Sequence, residues 1–200
     1  MVRIFLFFFI VTSFFIKAGN PRWDDSIDIN NPDLTVNVVA QQCHKSLINA
    51  PDELEQWCNK AINMGYWNAL VPLSLHSGNG SRLVQEATKR VNAKEPNAYA
   101  TLAWLYETGM FVKQDINYAI ALHEEFLVLD TKLLESQVTS AHEELAKLFA
   151  VKKNWQAVSR HAQYVIINSK LAFNRENATR LMKMAQEELA LENNKSNSIN

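Results

Sequence analysis

The stretch 98-AYATLAWLYETGMFVKQDINYAIALHEEFLVLD-130 decides the fold. Its first part, through Tyr106, places Ala98, Leu102, Leu105 and Tyr106 on one face at helical spacing, with Pro96 opening the helix. Gly109 then suits the left-handed conformation that ends a helix without a Cβ penalty. Val112 serves as an apolar plug, and Asp115 caps a second helix by accepting its first free amides. A helix, a Gly-centred loop and a second helix therefore form one hairpin, in which Gly109, Val112 and Asp115 are architectural.

Outward from this hairpin the chain is expected to be helical almost throughout. Helices are predicted over about 34–48, over 52–64 with Asp52 as N-cap and Gly65 as stop, and over 66–77. Ser81 is expected to cap a helix whose Leu83, Val84, Ala87 and Val91 form one stripe. Further helices are expected over 131–150, 155–167 and 174–191, followed by a disordered polar tail at 193–200. Short helices with shorter connections indicate antiparallel pairs.

The steps of the central hairpin recur. Ala98, Leu102 and Ala103 are matched by Ala69, Leu73 and Ser74, and again by Ala141, Leu145 and Ala146. In the second helices, Ala119, His123 and Phe126 correspond to Ala157, His161 and Tyr164. Small residues at fixed steps let helices approach, and repetition at this scale is the signature of a repeat array. The pattern Ala98, Leu102 with Ala103, Tyr106, Gly109, Val112, Asp115 and Ala119 resembles a SEL-like repeat, an α/α repeat related to tetratricopeptide repeats. The resemblance covers roughly residues 54–168 and is strongest in the middle. Ala103 stands where the family has Gly, Phe111 replaces a second loop Gly, and Phe126 with Leu127 replace an Ala pair. It implies an all-α fold, a short right-handed α/α superhelix, with a single repeat domain over 34–192 after a polar lead at 19–33.

Residues 1–18 are read separately. Arg3 precedes an apolar run from Ile4 to Ile16, and Ala18 is a small residue suited to cleavage, the pattern of a secretory signal peptide. Lys17 interrupts the run before it reaches the length a membrane span needs, and a leader retained uncleaved as an anchor is the alternative. Without Arg3 and Lys17 the chain carries 18 bases against 21 acids, an acidic balance with no basic stripe, which argues against nucleic acid as partner. Export suits the two cysteines. Cys43 and Cys58 flank a helix break at Asn49–Pro51, and folding back there brings them to one height, so a disulfide is expected. A pair of buried free thiols is the alternative.

Signals for chemistry are few. His44, His76, His123, His142 and His161 lack the second His four residues on that a zinc helix requires, so no metal and no cofactor is assigned. His123 and His161 share a repeat position at which the family tolerates a half-exposed aromatic. Glu143 with Glu144, and Glu187 with Glu188, read as solvated helix faces. No phosphate loop, nucleophile elbow or triad pattern is present, so no catalytic residue is assigned.

A repeat array instead offers a surface lined by the first helix of each pair. Trp104 points away from the buried face, with Thr101 and Glu107 beside it and Leu75 and Lys147 at the equivalent positions of the neighbouring repeats. These five are the candidate partner-binding residues, on the ground that exposed Trp is enriched at binding hot spots; the alternative is that the neighbouring repeat covers Trp104. The "PRWDD" stretch at 21–25 is a clamp onto either the first helix or a partner.

The family resemblance implies protein binding in a bacterial envelope. Periplasmic location and a non-catalytic binding role follow as expectations. The sharpest version is an immunity protein that neutralises a secreted, type VI-like toxic effector, and an envelope adaptor is the alternative. A β-lactam-binding or hydrolysing enzyme is the weaker analogy, because such relatives carry a cysteine pair in each repeat and this chain has one pair overall. A secreted glycoprotein would use Asn79, Asn177 and Asn194 as acceptors, a weak reading in an Asn-rich chain.

Overall fold

A computed structural model describes residues 24–197, with side chains through Lys195. The predicted signal peptide, Trp23 and the last three residues of the tail lie outside the described residues. Every regular element among the described residues is helical. The chain divides into two compact units, Met1–His76 and Ser77–Asn200.

The first unit contains α1 (Val36–Asn49), a 3-10 turn at Pro51–Glu53, α2 (Leu54–Asn63), a second 3-10 turn at Trp67–Ala69 and α3 (Leu70–Ser77). Thr35 caps α1 through its side chain, which accepts from the Val38 amide. Pro51 breaks the helix because it supplies no amide and fixes its own φ. Asp52 lies inside the 3-10 turn, and no side chain caps α2, so the expected Asp52 cap does not form. Gly65 ends the α2 region with φ +92°. The core of this unit is Val39, Cys43, Leu54, Trp57, Cys58, Ala61 and Ala69. Cys43 and Cys58 are joined by a disulfide with their Cα atoms 4.6 Å apart.

The polar lead, described from Asp24 onward, leans on this core through two isoleucines. Ile27, Ile29 and Leu34 pack against it. The Gln42 side-chain amide donates to the Asp24 carbonyl at 2.6 Å, and Lys60 Nζ donates to the Ile29 carbonyl at 2.5 Å. Two side chains from α1 and α2 therefore satisfy carbonyls that an irregular segment would otherwise leave to solvent.

The second unit holds α4 (Ser81–Asn92), α5 (Pro96–Thr108), α6 (Ile116–Leu127), α7 (Glu135–Val151), α8 (Trp155–Asn168) and α9 (Ala172–Asn197). Each packs on the next, and α7 also touches α9. Ser81 is the first helical residue of α4 rather than its cap, since Gly80 takes the cap position with no side chain to offer. Residues 131–134 stay outside α7, which starts at Glu135, with Gln137 reaching back to the Leu134 amide at 3.2 Å. The last helix continues to Asn197, beyond the Leu191 limit expected from its pattern.

Repeat-equivalent positions are treated alike by the packing. Ala69, Ala98 and Ala141 are buried, as are Ala103, Ala146 and Ser74. Leu102 and Leu145 are fully enclosed, while Leu73 is partly buried against the first core. In the second helices Ala119 and Ala157 are buried together with His123 and His161. The histidines are thus interior, not half-exposed as the resemblance suggests.

Candidate functional site

The central hairpin is closed by its own loop. Gly109 ends α5 at φ +72°, and an added Cβ would stand 3.1 Å from Gln114 Cβ. The Asp115 amide donates back to the Tyr106 carbonyl at 2.9 Å, and its side chain accepts from the Tyr118 amide at 3.0 Å. Tyr106 meets the Tyr118 ring edge-to-face with centroids 4.6 Å apart. Ala98, Leu102 and Ala119 are buried, and Val112 is half-buried. The departure at Phe111 has a partner elsewhere in the same unit. Phe111 adopts φ +64°, and its ring occupies the space where a Cβ on Gly80 would sit, 2.0 Å from Phe111 Cγ. A loop residue that costs backbone strain thereby packs on the turn before α4.

The candidate partner surface is built on the outer side of this hairpin and of α7. Trp104, Thr101 and Glu107 are half-buried on α5, and Lys147 is half-buried on α7. Lys147 Nζ lies 3.1 Å from Glu143 and 3.0 Å from Glu144. Burial works against the Lys147 charge, but the two carboxylates outweigh it and raise its pKa. Glu107 is drawn into the same field. Burial first, and then Glu144, raise its pKa, while Lys147 opposes them. Trp104, Thr101 and Glu107 therefore belong to one α5 surface, and the charges of Glu107 and Lys147 interact between α5 and α7. Leu75 is 38% exposed on α3 and belongs to the other unit. Glu143 is buried against Lys147 rather than fully solvated, a correction to its reading as an open helix face.

A second cluster was not singled out from the sequence. His142 on α7 and His161 on α8 face each other with their Nδ1 atoms 2.8 Å apart. One ring must donate Nδ1–H and the other accept, so the two hold opposite tautomers. Tyr164 stacks on His142 with centroids 3.8 Å apart, and Phe149 stacks on His161 at 5.5 Å. Burial lowers the His161 pKa to about 4, with His142 and Arg160 adding to the shift, and burial lowers His142 as well. His123, at the equivalent place on α6, is lowered to about 4 by burial. The two rings thus meet as a neutral pair joined by one hydrogen bond, and burial makes either ring resist a further proton. Among the described residues, no group of three or more His, Cys, Asp or Glu side chains is placed to hold a metal ion. The signal available in the sequence was the repeat register, which puts His142 where Tyr99 stands and His161 where His123 stands.

In the first unit, His44 and Tyr66 form a smaller contact, with His44 Nε2 3.2 Å from the Tyr66 hydroxyl and the rings edge-to-face. Trp155 is buried at the first position of α8, and Trp67 is half-buried at the start of its 3-10 turn, so both serve packing. No helix among the described residues is long and apolar enough to cross a membrane. No protein-family model matches the chain, and comparison with curated proteins and with solved structures found no match.

Proposed function

We propose that the chain is an exported, non-catalytic protein-binding module, folded as a short right-handed α/α superhelix of SEL-like repeats and working in the periplasm. Its partner docks against the first-helix surface around Trp104. The observation that carries this reading is the neighbourhood of α5 and α7: a half-buried Trp104 on the same surface as Glu107, whose charge interacts with Glu144 and Lys147 on α7. An aromatic side chain that is only partly covered, rimmed by charges already held in place, is the composition of a binding hot spot. The disulfide supports an oxidising compartment. In its sharpest form the partner is a secreted toxic effector and the chain is its immunity protein.

The test is affinity capture of the tagged mature chain from its own periplasm, beside Trp104→Ala. One stoichiometric secreted hydrolase, lost with Trp104→Ala, is the expected outcome. Resident envelope proteins in its place would make the chain an adaptor. Deletion without effect in a toxin challenge would remove the immunity form of the proposal. Capture of no protein would overturn protein binding itself.

A further inference from the structure

The two units differ in what closes them. The first is built from helices of 14, 10 and 8 residues, lengths that are marginal without tertiary support. Its core gathers Val39, Leu54, Trp57, Ala61 and Ala69 around Cys43 and Cys58, and both cysteines are fully buried. The second unit has helices of up to 26 residues and encloses Leu102, Leu105, Leu122, Leu145 and Leu148. The chain has two cysteines, both in the first unit, so the second has no thiol of its own.

In a core as small as the first, the surface buried on folding barely offsets the conformational entropy lost, and small domains commonly add a covalent staple. Closing the 15-residue step between Cys43 and Cys58 favours the folded unit by on the order of a hundredfold in the chain-entropy model. That factor is a large share of the folding equilibrium available to so few residues. The polar lead depends on the same packing, because Gln42 on α1 and Lys60 on α2 hold the Asp24 and Ile29 carbonyls.

Burial of the bond adds a second property. A reductant's thiolate must reach one of the two sulfurs, so α1 and α2 must part before the bond can be attacked. On reduction the S–S bond breaks and each sulfur gains a proton. The two electrons come from a dithiol, which closes to its own disulfide.

We propose that the first unit is a thiol-gated fold. As the dithiol it stays open and releases the polar lead, while the second unit folds regardless. Oxidation closes it, and the closed unit then shields its own bond from reductants. If the chain is exported, as proposed above, the segment that follows the leader stays open until it leaves the reducing compartment. The gate itself holds without that reading.

The experiment is hydrogen exchange of the chain from Gly19 onward, read by mass spectrometry on peptides from both units. No contact described above involves residues before Asp24. The oxidised chain is compared with the same chain reduced in urea and returned to buffer with dithiothreitol. Peptides of α1 and α2 should exchange on the order of a hundredfold faster once reduced, and those of α5 to α8 should change by less than about threefold. Cys43→Ala with Cys58→Ala should open the same peptides without any reductant. The reduced parent keeps every side chain, so it separates loss of the bond from loss of packing. Retained protection of α1 and α2 in the reduced parent overturns the gate whatever the variant does. Parallel loss in both units overturns its restriction to the first. In buffer the oxidised chain should react with dithiothreitol at least about tenfold more slowly than in urea, and equal rates would overturn the shielding.

Discussion

The helix pairs α5/α6 and α7/α8 place the same small residues at the same steps and bury them alike, yet they spend the equivalent positions differently. At the first, Tyr99 leans on Phe126 with centroids 6.1 Å apart, and its hydroxyl donates to Glu125. At the second, His142 stacks on Tyr164 and turns its free nitrogen to His161. The aromatic pair is kept and its polar end is rewired. The loops diverge as well: one pair uses Gly109, Phe111 and Asp115, the other a short turn with Lys153 at φ +55° and Asn154 as cap. A repeat position therefore specifies volume and burial, while the chemistry attached to it is open to change.

The largest test of that equivalence is in the core. Leu102→Ala and Leu145→Ala each remove a fully enclosed side chain and should each cost about 2–5 kcal/mol in urea unfolding. A cost at only one of them would break the correspondence. Acid is the next probe. His123 and His161 are held neutral in the fold, with pKa values of about 4 against an ordinary 6.5. Between those values the unfolded chain binds protons that the folded pockets refuse. Stability is therefore complete above about pH 6.5 and falls as pH drops toward 4, by up to about 3 kcal/mol per ring. His123→Phe should remove one such share from the pH profile of thermal unfolding, and proton NMR should find neither ring half-protonated above about pH 5.

Smaller effects separate the loops. Gly80→Ala pushes a methyl into the Phe111 ring and should cost about 1–3 kcal/mol, less when Phe111→Ala is also present. Smallest of all, Asp115→Ala and Asn154→Ala should each cost about 1 kcal/mol, because each side chain caps its helix by accepting an amide. Unequal costs would mean that the two caps do different structural work.

Most helices were legible because apolar spacing, Pro96, Gly65, Gly109 and Asp115 each carry a local physical signal. The disulfide was legible as well, since the break at Pro51 folds two helices back on one another. Residues 131–134 were misread as helical, because the Lys-Leu-Leu stretch there has helical propensity and no Gly or Pro to stop it. Ser81 and Asp52 carry the right side chains for caps but sit one or two places inside their turns. The candidate surface was legible only as far as one helix. Sequence steps put Trp104 opposite the buried face, but that Glu107 meets the charge of Glu144 and Lys147 depends on how α5 and α7 come together. The His142–His161 contact was hidden for the same reason, since two residues on different helices meet only through the angle between those helices.

The Cys43–Cys58 bond encloses the exposed turn Pro51–Glu53 in a covalent ring. A protease that cuts this turn therefore severs the chain without releasing a piece. The nicked protein would migrate as one band on a denaturing gel and separate into two only after a thiol is added. Damage to this exposed turn would leave the two flanking helices on the same molecule, able to close again around Trp57.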